Sequence, residues 1–263
     1  MNAPAPRYYV PGLERGLRML QLFDRTHRLL TAAEMARTLA IPRSTAFRLA
    51  QTLEFLGFLE RDGDRYRIGP AVLRLGFEYI ASLEIAELAR PVIERLRDVS
   101  ELSAQLVVRD GREVVVVVKA SPPAATFASS VTVGTRLPAH ATILGRVLLA
   151  DADEQTLRAL YPETKLPPAS PRAPQALADL QRLLREDRAR GYAVSESFFE
   201  QGISAIAAPV RDRHGSIVAA VSITAQRPTL EPDELRERLV AQVLAAAAEL
   251  SRQLNYRPAQ AAA

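Results

Sequence analysis

Leu13, Leu17, Leu20 and Phe23 recur at helical spacing, with Met19 and Leu22 beside them, so residues 13–23 predict an amphipathic helix. A break over 24–30 precedes Thr31 and Glu34, which fit a capping box. In that motif a hydroxyl and a carboxylate each satisfy a backbone N–H that a helix start leaves orphaned. A short second helix is predicted over 32–39. The tight turn Ala40-Ile41 leads to Pro42, which suits the first turn of a third helix because its missing N–H would be unpaired there in any case. That helix is predicted to reach Leu56, with Gly57 as its left-handed terminator.

Along the third helix Ala46, Leu49, Ala50, Leu53 and Leu56 form one apolar stripe, and Arg43, Ser44, Thr45, Arg48 and Gln51 take the other face. These polar types bond phosphates and base edges in the major groove, Arg reaching guanine and Gln adenine with two bonds each. A short helix, a tight turn and a longer helix with a polar outer face predict a helix-turn-helix. Residues 58–61 and 65–68 flank Asp62-Gly63-Asp64, a strong hairpin signal, and predict a wing from which Arg65 or Arg67 meets DNA backbone or minor groove. The same segment is also compatible with a small three-helix module that docks another protein.

Residues 71–87 predict a linker helix whose apolar positions Val72, Leu75, Tyr79, Ile80 and Leu83 suit a dimer contact, because a lone helix would leave that face wet. A second helix is predicted over 88–99. Strands follow over 103–109, 113–119 and 127–133, then a turn at Gly134 and a helix over 141–149 with Leu144, Val147 and Leu148 inward. Surface helices over 153–160 and 174–190, strands over 202–210 and 216–224, and a last helix over 232–254 complete the chain. Strand hairpins interleaved with helices predict an α+β domain over 88–256, one antiparallel sheet covered by helices, behind an N-terminal all-α winged helix-turn-helix over 8–70.

Composition narrows the function. A chain of 263 residues, 48% hydrophobic and 24% charged, can bury the cores of two domains. It has no apolar run of the ~18 to 20 residues that span a bilayer, and its start lacks the apolar stretch of a secretion signal, so a cytoplasmic protein with no membrane partner is expected. With no Cys and three His, disulfides, thiolate nucleophiles and thiolate metal sites are excluded. The net charge of +4 has one source: residues 1–80 carry 12 basic against 8 acidic side chains, and the remainder 22 against 22. A basic small domain joined to a neutral larger one is what counterion release from nucleic acid requires. No G-x-S-x-G, P-loop, G-x-G-x-x-G or H-E-x-x-H motif is present, which weighs against an enzyme. An enzyme acting on a small molecule, or a protein-interaction adaptor, remains the alternative class.

Four ordered blocks resemble the IclR-type bacterial transcriptional regulators: residues 41–49 with Gly57-Phe58-Leu59; residues 134–142 leading to 145–150; Arg190-Gly191-Tyr192-Ala193; and residues 206–210 with Asp212, Gly215 and Val218-Ala219-Ala220. The resemblance implies a winged helix-turn-helix and a GAF-like effector domain, and a homodimer or homotetramer that binds double-stranded operator DNA and a small-molecule effector, with no cofactor. The wording Gly-Thr-Arg-Leu-Pro-Ala-His looks most like the branch that controls catabolism of aromatic acids such as protocatechuate or hydroxybenzoate. Ile143 replaces a small residue of that branch, and Phe198-Phe199 replaces an acidic position. Both departures imply a more apolar pocket and a flatter or more hydrophobic ligand. Ala205 stands where some relatives have Cys, so no metal is expected.

The predicted effector pocket follows from that framework. Backbone N–H groups of Ala141, Thr142 and Ile143, at the start of the 141–149 helix, suit a carboxylate. Walls are expected from Phe127 and Ser129, from Phe199, Ile203 and Ala205, and from Ser222. His140 either adds a donor or serves as a cap or packing residue. His27 and His214 are expected at the surface.

Overall fold

The computed structural model describes residues 8–24, 26–74, 84–123, 131–163 and 165–257. The chain divides into two compact units, residues 1–82 and 83–263.

In the first unit, helix α1 (Pro11–Leu20) precedes a two-residue strand β1 (Leu30–Thr31), helix α2 (Ala32–Thr38) and helix α3 (Arg43–Phe55). Strands β2 (Leu59–Asp62) and β3 (Arg65–Ile68) form the wing. The capping box is present: Thr31 N–H donates to Glu34 Oε2 at 2.7 Å and Glu34 N–H to Thr31 Oγ1 at 3.2 Å. Ala40, at φ 52°, takes the left-handed conformation that makes the turn between α2 and α3 sharp. Pro42 is the residue before α3 rather than inside its first turn, and Gly57, at φ 77°, ends it. Met19, Met35, Ala46, Ala50, Leu59 and Tyr66 form the core.

Two expectations need correction here. Helix α1 stops at Leu20 and turns Gly16 and Met19 inward, which leaves Leu13 and Leu17 more than half exposed. The leucine spacing marked the helix but not its buried face. Strand β1 pairs Leu30 with Tyr66 and Thr31 with Arg65, giving a three-stranded sheet in the order β1-β3-β2. Two residues leave no alternation from which such a strand is read.

The second unit begins with α4 (Glu84–Ser100), which runs unbroken through the expected boundary at 87 and 88, so no separate helix starts at Leu88. Residues 71–74 are helical, and the rest of the predicted linker helix up to residue 83 lies outside the described residues. Strands β4 (Ser103–Asp110), β5 (Glu113–Ala120) and β6 (Arg136–Pro138) are followed by a 3-10 turn (Ala139–Ala141) and α5 (Ile143–Leu149). Then come α6 (Glu154–Leu160), α7 (Leu177–Arg190), β7 (Ala193–Glu196), β8 (Ser204–Arg211), β9 (Ile217–Ala225) and α8 (Asp233–Gln253). The six strands form one antiparallel sheet in the order β6-β5-β4-β9-β8-β7.

Helices α4 and α8 pack on one face of that sheet, and on the other α5, α6 and α7 bury Val107, Val114, Val116, Ala207 and Ala220. The pairing of β4 with β5 slips by one residue between Leu106 and Val107. The strand expected over 127–133 is not formed at 131–133, and residues 124–130 lie outside the described residues; the edge strand is β6. The helix expected from Ala141 starts at Ile143, because Thr142 Oγ1 accepts Gly145 N–H at 3.2 Å and so caps it there. Gly145 is needed where it stands: a Cβ would lie 2.1 Å from Ala139 O.

Candidate functional site

Two surfaces carry the chemistry, one in each unit. In the first, Ala46, Ala50 and Leu53 are buried and hold α3 against α1 and α2, so the opposite face of α3 is outward. Arg43, Ser44, Arg48 and Gln51 are exposed there, and Thr45 is half-buried. Among the described residues neither Arg43 nor Arg48 pairs with a carboxylate, so their guanidinium donors are available to an outside acceptor. In the wing Arg67 is committed to Glu60 at 2.8 Å, whereas the exposed Arg65 has no such pair among the described residues. The sequence could not separate these two arginines; the register of β2 with β3, which sets Glu60 opposite Arg67, does.

In the second unit a cavity of about 90 Å³ lies between the start of α5, the sheet and residues 199–203. Thr142, Ile143, Phe199, Ile203, Ala205 and Ser222, all foreseen, line it. Phe127 and Ser129 fall outside the described residues. His140 and Ala141 do not line it. The buried His140 ring has Nε2 2.9 Å from Pro167 O and meets Tyr161 edge-on at 5.8 Å, and burial pushes its pKa below the usual imidazole value. His140 is therefore a packing residue, the second of the two roles expected for it. Ala141 is buried inside the 3-10 turn. Because α5 starts two residues later than expected, Ala141 does not offer a helix-end N–H to the cavity. Thr142 spends its hydroxyl on Gly145 N–H and Pro138 O.

The cavity is more polar than the two Phe positions implied. Only Phe199 reaches it; Phe198 lies under the guanidinium of Arg146, 5.3 Å from Cζ to ring centre. Sequence reasoning missed Ser103, Gln105, Lys119, Ser195 and Thr224, which the sheet register brings together. Cross-strand partners share a face, as do residues two apart along a strand. One row across the sheet is Lys119, Gln105, Ser222 and Ala207; the next is Ser103, Thr224, Ala205 and Ser195. The Ser222 hydroxyl is fully buried with no hydrogen-bond partner. Lys119 is half-buried, its Nζ donates to Val131 O, and burial pushes its pKa below the usual lysine value. One signal for Lys119 was in the sequence: a charge closing a run of five valines that reads as a buried strand.

Comparison with known proteins agrees with both units. Residues 12–63 match the IclR helix-turn-helix domain, and residues 77–252 match the C-terminal domain of the bacterial transcriptional regulator IclR. The Pca regulon regulatory protein of Pseudomonas putida is 31% identical over 246 residues, 94% of this chain and 84% of that protein. The crystal structure of an IclR transcriptional regulator from Alicyclobacillus acidocaldarius superposes with a TM-score of 0.81 at 29% identity, covering 94% of this chain and all of that one, 100%. An IclR homologue from Microbacterium hydrocarbonoxydans, complexed with 4-hydroxybenzoate, superposes with a TM-score of 0.77 at 27% identity, over 93% of this chain and 99% of that one. Two matched domains in this order, an outward polar helix face and a lined cavity in the second unit have one reading: this chain belongs to the IclR family of bacterial transcriptional regulators, proteins that bind DNA and respond to an effector.

Proposed function

We propose that the chain, as a homodimer or a homotetramer, binds a partly palindromic operator in the cytoplasm through α3 of each copy. Arg43, Ser44, Thr45, Arg48 and Gln51 face the major groove, and Arg65 of the wing meets backbone or minor groove. The observation that carries this is the division of α3 into a buried apolar stripe and an exposed Arg-Ser-Arg-Gln face whose arginines pair with no carboxylate among the described residues. Residues 8–70 form the DNA-binding domain, 71–87 the linker, and 88–256 the effector domain. Effector binding shifts the geometry of the linker and so the spacing of the two recognition helices, which requires different effector affinities in the two states. Operator titration by fluorescence anisotropy, with and without saturating effector, tests it; operator affinity that is the same in both conditions rejects the coupling.

The effector on this reading is an aromatic acid, and the genes controlled are those of aromatic catabolism. The relatives that regulate Pca genes and the homologue holding 4-hydroxybenzoate support it. One observation favours a second reading, a short aliphatic acid: the cavity of about 90 Å³ is smaller than the ~150 Å³ that holds benzene in an engineered protein core. A cavity of that size suits a short chain better than a ring. A thermal-shift panel of aromatic and short aliphatic acids separates the two, because a ligand of the native state raises Tm with its saturation.

A further inference from the structure

We infer that Lys119 is the cation that receives the acid group of the effector, so that this cavity selects organic anions over neutral molecules of the same shape. The inference rests on the reading of the cavity as the effector site and adds to it a specificity-determining residue. Lys119 reaches the cavity from β5, beside Gln105, and Gln105 in turn lies beside Ser222. An ammonium carries three N–H donors. Among the described residues the acceptor for Nζ is one carbonyl, Val131 O, and no carboxylate pairs with it. Glu200, the one carboxylate among the described lining residues, is exposed and forms no ion pair with Lys119.

A half-buried ammonium short of acceptors is costly, and an anion in the cavity supplies them. The neighbouring groups are arranged to share that anion. The Ser222 hydroxyl, fully buried and without a partner, stands one strand beyond Gln105 in the same row. The opposite wall of Ile143, Leu144 and Phe199 is apolar and suits the body of the ligand. A cation, an amide and a hydroxyl in line on one wall, with hydrocarbon facing them, match a molecule with one carboxylate end and one flat or aliphatic end. Were Lys119 only a tether for the segment at Val131, the anion would be irrelevant to binding.

The chain holds two lysines, Lys119 and the exposed Lys165, which makes a direct test available. The full-length protein is prepared with 13C-labelled lysine, which leaves all three N–H donors in place, and the two lysine Cε signals are followed while acetate, benzoate and 4-hydroxybenzoate, and then their primary amides, are added. Calorimetry with the same probes is run on wild type, Lys119→Met and Lys119→Arg. The expected result is a saturable shift of the Lys119 signal alone, with acids and not amides. Lys119→Met is expected to lose about tenfold or more in acid affinity, and Lys119→Arg to keep most of it. Equal binding of acid and amide, or undiminished acid binding by Lys119→Met, overturns the inference while leaving the cavity as the effector site. A Lys119 shift with acids that never alters operator affinity keeps the anion site and overturns the effector reading. A Lys119 signal that no acid moves overturns the inference outright.

Discussion

Arg146 and Asp187 close a two-point ion pair inside the second unit, Nε to Oδ2 and Nη2 to Oδ1 both at 2.7 Å, with both side chains at least 96% covered. Burial pushes the Asp187 carboxyl above the usual range, and the guanidinium groups of Arg146 and Arg190 pull it back. Removing one partner of such a pair strands the other in a poor solvent. Asp187→Leu is therefore expected to cost about 3 to 5 kcal/mol in urea denaturation, and the double variant Arg146→Met/Asp187→Leu to recover much of that loss. Arg146→Met alone should cost less, because Arg190 still bonds Asp187 at 2.8 Å.

Arg43→Ala and Arg48→Ala should each weaken operator binding. If the lost contact is to phosphate, the slope of log K against log salt falls by about 0.9; if to a base edge, the slope stays and discrimination at one base pair falls by about 1 to 3 kcal/mol. Binding measured at four salt concentrations on two operator variants separates these outcomes. Affinity and slope unchanged in both variants would favour a protein-docking role for α3.

Two glycines within helices should behave in opposite ways. A Cβ at position 145 meets backbone atoms of Ala139 at 2.1 to 2.4 Å, so Gly145→Ala is expected to unfold or severely destabilise the second unit. A Cβ at position 16 meets nothing within 4 Å, so Gly16→Ala should stabilise α1 by about 0.5 to 1 kcal/mol. Circular dichroism melts of the two variants decide it.

Glu34 accepts the backbone N–H and the hydroxyl of Thr31, which hold its carboxyl below the ordinary value of 4.5. Its folded pKa is thus depressed, and its stabilisation is complete above the unfolded value and lost as pH falls through the folded one. The advantage of wild type over Glu34→Ala, read as amide protection in α2, should be constant above pH 4.5 and shrink below it. An advantage that grows on acidification would contradict the capping geometry.

Ser204 and Ser222 both bury hydroxyls without partners, but only Ser222 lines the cavity. Each Ser→Ala change should raise stability by about 1 kcal/mol by removing an unsatisfied group. Only Ser222→Ala should also weaken effector binding, as calorimetry on the two variants would reveal.

The recognition unit was largely legible because its signals are local: Thr31 with Glu34, Pro42 and Gly57 act within one helical turn of where they stand. What escaped was tertiary. Leu13 and Leu17 carry a helical period, yet which side of α1 turns inward depends on where α3 lies. Six of the fifteen described lining residues of the cavity were legible, four of them apolar. Lys119 and Gln105 were not, because they are 14 residues apart and only strand pairing makes them neighbours of each other and of Ser222. Of the two roles the sequence left open for His140, packing follows from a 3-10 turn that nothing in its composition marks and that sets the ring against Pro167 and Tyr161.

The slipped pairing of β4 with β5 acts on the valine run as a change of phase. Leu106 is opposite Val118 but Val107 is opposite Val116, so Val117 is the supernumerary residue. Val116 and Lys119 are three apart, an odd spacing that in a regular strand sends two side chains to opposite faces; here both reach the face that holds α5. Delete one valine from 114–118 and a regular strand would still close its ladder, with almost the same composition. Val114, Val116 and the charge, then spaced two apart, would share one face without any slip. The slip is thus what holds the cation inside this cavity: a β4–β5 pairing that ran straight through the valine run would change no residue and still turn Lys119 to the face of α4 and α8.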